Sequence, residues 1–275
     1  MKLASTRNRL ETRLSSLRAR GDHGLAPFVM AGDGGLQTTL AILKAVEEAG
    51  AVCAELGLPF SDPIADGPVL QAAAARALGA GTTVDSVLAM LSEFRETSAL
   101  PVVVMTYANP LISRGWDAAT RAIAAAGGDG LIVADLPVDE GEEMAECAIS
   151  AGLAPIFFVS PTTSAARATR AVRASRGFVY AIGRFGVTGV ATDLDAPTQA
   201  FLARVAREAD GLPVAVGFGI ATAQAVTAAL RHADLAIVGS ALTARIQSEP
   251  SNPPAASARA FVSELVKGIP PCTLP

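Results

Sequence analysis

Eight short apolar runs, each followed by a longer helical stretch, constrain this chain more than any other feature. The runs are Pro27–Met30, Val52–Leu58, Val102–Thr106, Gly130–Ala134, Ala154–Val159, Gly177–Ile182, Val214–Gly217 and Leu235–Val238. The helical stretches are Leu36–Ala49, Val84–Glu96, Trp116–Ala126, Glu140–Ala151, Ala165–Ser175, Pro197–Ala209, Ala223–Arg231 and Ala256–Val266. A strand with one wet face alternates apolar and polar residues; these runs are apolar almost throughout, as strands covered on both faces are. Parallel strands joined by helices satisfy that pattern, and eight matched units imply a closed (β/α)8 barrel, the TIM barrel. A doubly wound open sheet is the alternative, but nothing in it calls for eight even units. With 275 residues, 51% of them hydrophobic, the chain can fill such a core. Barrels of this size are commonly one domain, so residues 1–275 are expected to form one. Residues 1–22 then add an N-terminal helix, and residues 268–275 a frayed tail.

The connections are chemically unequal. Segments after the strands carry Asp, Gly, Pro, Arg and Thr, as in Gly32-Asp33-Gly34-Gly35, Ser61–Pro68, Tyr107-Ala108-Asn109-Pro110, Asp135-Leu136-Pro137 and Gly183–Asp193. Segments before the strands are short and plain. In a barrel, the loops after the strands form the face where chemistry is done. The second run holds a carboxylate, Glu55, where burial of an unpaired acid is costly and raises its pKa. A second carboxylate, Asp66, follows in the Pro/Gly-rich loop. Two acids in different surroundings make a candidate acid/base pair.

Glu55-Leu56-Gly57-Leu58-Pro59-Phe60-Ser61-Asp62-Pro63-Ile64-Ala65-Asp66-Gly67-Pro68 resembles the signature of the tryptophan synthase alpha chain family, the indole-3-glycerol-phosphate lyases. All fixed positions of the pattern E-L-G-x-P-F-S-D-P-x-A-D-G-P are met, and the resemblance runs from about Leu10 to about Val266. It implies retro-aldol cleavage of indole-3-glycerol phosphate to indole and glyceraldehyde 3-phosphate, with Glu55 and Asp66 as the catalytic pair. It implies no cofactor. Arg184-Phe185-Gly186-Val187-Thr188-Gly189 is similar to the family's sixth loop, so Thr188 would contact Asp66 when that loop closes, with Arg184 in support. Gly183 replaces the usual serine there and bears on closure. Tyr180 would hydrogen-bond Glu55, a plain core tyrosine being the competing reading. Phe28, Leu70, Tyr107, Ala134, Phe158, Phe218 and Ile237 align with the indole pocket, though each by itself reads as ordinary core.

Gly217-Phe218-Gly219-Ile220 follows the seventh strand, and Gly239-Ser240-Ala241 follows the eighth and opens a helical stretch toward Ile246. Backbone amides at glycine turns and helix N-termini hold anions. One such turn would serve chain reversal as readily; two after adjacent late strands point to phosphate. With the resemblance, Gly189, Gly219, Gly239 and Ser240 are the phosphate-site candidates.

Several chemistries are disfavoured. Only Lys2, Lys44 and Lys267 are present, none in a strand, which leaves no Schiff-base lysine. His23 and His232 adjoin no ligand cluster, there is no CxxC, and no metal site is expected. Ser61 has no His partner nearby. Asp33, Asp62 and Asp135 read as turn or loop supports. The formal charge of −4 gives no footprint for nucleic acid. Arg7, Arg9, Arg13, Arg18 and Arg20 are expected on the solvated face of an amphipathic helix. Cys53, Cys147 and Cys272 are expected as reduced thiols, two of them in the core, in a cytoplasmic protein without signal peptide or membrane span. The resemblance further implies a PLP-dependent beta chain as partner in an alpha2beta2 complex, met through Pro63 and Tyr107–Pro110. A stand-alone lyase of specialised metabolism and a catalytically weak activator of a beta chain are the alternatives.

Overall fold

The computed structural model describes residues 7–182, 194–217 and 219–271. Among these residues nine strand segments, all parallel, make one sheet: β1 Gly24–Met30, β2 Ala54–Gly57, β3 Val102–Thr106, β4 Gly130–Val133, β5 Ala154–Ile156, β6 Phe158–Val159, β7 Val179–Ile182, β8 Val214–Gly217 and β9 Leu235–Val238. Their order is β5-β4-β3-β2-β1-β9-β8-β7-β6. The two ends of that order, β5 and β6, are separated by Phe157 alone. They are halves of one strand, so the sheet closes on itself and the expected eight-stranded barrel is what forms. The strand breaks because the Phe157 amide turns outward to donate to Ser175 Oγ at 3.0 Å.

Around the sheet lie α2 Leu36–Glu48, α3 Pro68–Gly79, α4 Val84–Arg95, α5 Ala108–Ile112, α6 Trp116–Ala125, α7 Glu142–Ser150, α8 Ala165–Ala174, α9 Ala196–Glu208, α10 Ala223–Leu230, α11 Ser240–Ser248 and α12 Pro254–Val266; α1, Arg9–Ala19, precedes the first strand. Two of these were not expected. Helix α3 starts from Pro68 at its first turn, where a missing N–H does no harm. Helix α5 is a single short turn through Asn109-Pro110.

Strand residues alternate between two cores, as the two-residue period requires. Ala54, Leu56, Val102, Val104, Leu131, Val179 and Val216 point out to the helices. Cys53, Val103, Ile132, Ile156, Phe178, Tyr180 and Ile237 point into the barrel. Helix α1 closes the N-terminal end of the barrel with fully buried Leu10 and nearly buried Leu14. Its basic face is less free than the sequence suggested. Arg9 Nε bonds Asp129 at 2.8 Å and Arg18 approaches Asp234 at 3.8 Å. Asp129, with 3% of its side chain exposed, also takes Arg95 at 3.0 Å and the Val102 amide at 2.9 Å. Of the cysteines, Cys53 is buried, Cys147 is only half-buried, and Cys272 lies outside the described residues.

Candidate active site

Glu55 lies on β2, paired with Phe28 of β1 and Val103 of β3. Its neighbours Ala54 and Leu56 face the helices, so Glu55 must face the barrel interior. It is 1% exposed, and its Oε1 has no hydrogen-bond partner among the described residues. Burial therefore acts unopposed and pushes its pKa up to about 8. At neutral pH Glu55 is a carboxylic acid with a proton to give. It opens onto a cavity of about 430 Å³ at the C-terminal ends of the strands.

Asp66 reaches the same cavity from the loop between β2 and α3. The loop is built from tight turns, with the Ile64 amide on Asp62 O at 2.9 Å and the Asp66 amide on Pro63 O at 3.0 Å. Gln71 of α3 donates to Asp66 O at 3.0 Å. Partial burial raises the Asp66 pKa, and a hydrogen bond from the Tyr107 hydroxyl opposes that rise. The same hydroxyl accepts the Ala65 amide at 3.1 Å, and the Tyr107 ring stacks on Phe60 with centroids 5.2 Å apart. Tyr107 thus holds the loop; it is absent from the cavity lining, contrary to its expected place in the indole pocket.

Phe28, Leu70, Ala134, Phe158 and Ile237 do line the cavity, together with Tyr180. The Phe158 and Tyr180 rings meet at 5.0 Å, tilted by 48°. Gly217 makes room for Tyr180, since a Cβ there would overlap the phenol oxygen. The expected bond from Tyr180 to Glu55 is not formed: Glu55 Oε1 is without a partner, and the two groups interact only through the Glu55 charge, which adds to burial in raising the Tyr180 pKa.

At the cavity's other end Gly219, Gly239 and Ser240 come together as expected. Gly219 has φ +58°, a conformation glycine adopts freely. Gly239 precedes α11 and caps it with no side chain, so the first amides of that helix are left for an outside acceptor. No Lys or Arg lines the cavity among the described residues. An anion here would be held by amides and the Ser240 hydroxyl. Arg184, Thr188, Gly189 and Phe218 lie outside the described residues.

Sequence reasoning missed Met105, Ser160, Ile182, Ile220 and Ala241, which also line the cavity. Met105 and Ile182 lie two residues beyond inward-facing Val103 and Tyr180, so strand alternation would have found them. Ser160 and Ala241 sit beyond strand ends and carry no such signal. Asp135 supports a loop as expected, accepting the Ala108 amide at 2.8 Å. Asp33 forms a two-pronged ion pair with Arg76, a role not anticipated. No cluster of three or more His, Cys, Asp or Glu side chains suited to a metal occurs among the described residues. Nor is any helix among them long and apolar enough to cross a membrane.

The family model of the tryptophan synthase alpha chain matches residues 14–268. A tryptophan synthase alpha chain of Synechococcus sp. is 44% identical over 256 residues, covering 93% of this chain and 95% of the relative. One from Laribacter hongkongensis is 44% identical over 248 residues, 90% and 94% of the two chains. Among solved structures, tryptophan synthase subunit alpha from Legionella pneumophila superposes with TM-score 0.88 at 32% identity, over 96% of this chain and 98% of the other. A chain of the tryptophan synthase complex from Pyrococcus furiosus gives TM-score 0.81 at 34% identity, over 89% and 98%. A match across most of the chain in sequence and in fold leaves one assignment: the chain belongs to the tryptophan synthase alpha chain family.

Proposed function

We infer that this chain is the alpha subunit of a tryptophan synthase and cleaves indole-3-glycerol phosphate to indole and glyceraldehyde 3-phosphate. The observation that carries this reading is Glu55: a buried acid whose Oε1 has no partner among the described residues, protonated at neutral pH, facing an apolar cavity that ends in open backbone amides. The apolar walls suit the indole, and the amides near Gly219, Gly239 and Ser240 suit the phosphate. Glu55 gives its proton to ring C3, which makes the ring an electron sink. The hydroxyl on the adjoining side-chain carbon then loses its proton to the Glu55 carboxylate. As the carbonyl forms, the carbon–carbon bond breaks and its electrons restore the aromatic ring. One proton has moved from oxygen to carbon, and Glu55 ends as it began. Asp66 accepts from the ring N–H and stabilises the positive charge that develops there. Its pKa is raised by partial burial, and the Tyr107 hydrogen bond favours the ionised form this role needs. The scheme draws its electron sink from the substrate and calls on no bound group. Thr188 and Arg184 keep the loop-closing roles implied by the family, and Gly189 its place at the phosphate.

A PLP-dependent beta chain is the partner in this reading, in an alpha2beta2 complex that receives indole in the cytoplasm. Two exposed apolar side chains support a docking face on this rim. Ile64 is 80% exposed in the loop that carries Asp66, and Ile112 is 53% exposed at the end of α5. The Ala65–Tyr107 hydrogen bond joins the two segments. A partner seated there would order Asp66 directly. We read the chain as a single domain. The test is to follow indole release from indole-3-glycerol phosphate by the purified chain, alone and with its cognate beta chain. Slow turnover alone and activation of at least about 10-fold are expected, a coupling of about 1.4 kcal/mol. High turnover with no response to the beta chain would refute the partnership, and no turnover in either state would refute the lyase.

A further inference from the structure

Asp66 is anchored at both ends of its loop, and the C-terminal anchor is the weaker. Upstream lies β2, locked between two strands. Downstream lies α3, which packs against β1 and α11. Its fully buried residues are Ala73, Ala74 and Ala77 alone. A face made of three methyl groups buries little area and gives a smooth contact that hardly resists sliding. Leu70, partly buried, adds to this contact but also forms part of the cavity wall. Packing alone therefore fixes the position of α3 loosely.

Arg76, further along α3 than Leu70, supplies what the alanines lack. Its Nε and Nη2 each bond one carboxylate oxygen of Asp33, both at 2.7 Å. This fork geometry fixes orientation as well as distance. Asp33 sits in a rigid turn after β1: the Gly35 amide bonds Gly32 O at 2.9 Å, and the Gly32 amide bonds Thr39 Oγ1 of α2 at 2.9 Å. The line of support runs from the barrel through Asp33 and Arg76 to α3. From there Gln71 holds the Asp66 carbonyl at 3.0 Å and, more weakly, the Pro63 carbonyl at 3.4 Å.

We propose that Arg76, clamped by Asp33, is a positioning residue for the cleavage reaction that sets the place of Asp66 through α3. The pair is half exposed, with 44% of the Arg76 side chain and 20% of the Asp33 side chain open to solvent, so it contributes little to global stability. Its effect falls on the geometry of one loop, where misplacement of a charge-stabilising group slows the chemical step. The proposal rests on the reading of Asp66 as catalytic, and its test separates the two.

A double-mutant cycle of Arg76→Ala and Asp66→Asn, with Arg76→Lys as the conservative variant, reads kcat and KM for indole-3-glycerol phosphate. Hydrogen exchange of the Ala65 and Asp66 amides is read on the same proteins. Arg76→Ala is expected to lower kcat about 5-fold, with KM changed by less than about 2-fold. Arg76→Lys, which keeps the charge but loses the fork, should fall between it and wild type. On the Asp66→Asn background Arg76→Ala should lower kcat by less than about 2-fold, because the group it positions is already disabled. Exchange at Ala65 and Asp66 should quicken about 5-fold in Arg76→Ala, in step with the rate loss. An undiminished loss on the Asp66→Asn background, or unchanged exchange, overturns the clamp. A wild-type chain that fails to cleave the substrate overturns the reading of Asp66, and the exchange data then decide the clamp by themselves.

Discussion

Glu55→Gln is expected to nearly abolish cleavage while making the protein progressively more stable than wild type as pH rises. In the folded chain Glu55 holds its proton to about pH 8; in the unfolded chain it releases it near 4.5. Between those values the folded state binds more protons than the unfolded one, so stability falls with rising pH and levels off above about 8. Linkage over this interval puts the destabilisation at about 2 kcal/mol near pH 6 and about 5 kcal/mol near pH 9. Glutamine has nearly the same shape and no proton to lose. The gap in unfolding free energy between the Glu55→Gln variant and the wild type should therefore widen by about 3 kcal/mol from pH 6 to pH 9. Urea unfolding at the two pH values measures this, and any pH-independent change in packing cancels in the difference. Cleavage should meanwhile drop by about 10²–10⁴-fold, with substrate binding largely kept. On the proposed mechanism the acid form of Glu55 is the one that acts, so kcat/KM should decline as pH rises through about 8. Parallel stability profiles for the two proteins would show that Glu55 does not hold a proton inside the barrel, and would remove the basis for its role as an acid.

Two further perturbations probe the opposite ends of the barrel. Asp129→Ala takes the carboxylate from Arg95, 11% of whose side chain is exposed, leaves it only the Gly127, Ser98 and Leu100 carbonyls, and strips the Val102 amide of its acceptor, so unfolding free energy should fall by about 3–5 kcal/mol in urea titration. A fall below about 1 kcal/mol would mean that water replaces the carboxylate there. Gly219→Val forces a branched residue into φ +58° and adds bulk at the anion end, so the KM for the phosphorylated substrate should rise about 10-fold; an unchanged KM would place the phosphate elsewhere.

The barrel was legible because its strands are covered on both faces and its helices are separate periodic stretches, so segments could be counted before any contact was known. The features that escaped are set by contacts distant in sequence or by flat local pattern. Helix α3 buries only alanines, and Ala72 to Ala75 show no apolar–polar contrast to mark a face. Only Pro68 at its start gave notice. The break at Phe157 depends on Ser175, eighteen residues on, whose hydroxyl takes the amide. In the site, Glu55 was legible because a carboxylate in an apolar run contradicts its surroundings. Tyr107 was misplaced for the converse reason. Its position beyond β3 suits either the cavity or the rim, and the choice was made by the Ala65 amide and the Asp66 carboxylate.

On the proposed mechanism, the placing of the two acids follows from what each would do with charge. An acid that donates to carbon must keep its proton at neutral pH, which requires removal from water without an ion partner. A barrel strand provides this, because neighbours on both sides prevent Glu55 from turning out to solvent. An anion that stabilises positive charge must stay ionised, which requires partial solvent contact and a hydrogen-bond donor. The half-buried loop provides both, with Tyr107 as the donor. Exchanging the two positions would defeat each: a loop glutamate would ionise, and a strand aspartate with no partner would take up a proton. The burial that makes Glu55 an acid also destabilises the fold at alkaline pH. The two cores on either face of the sheet offset that penalty.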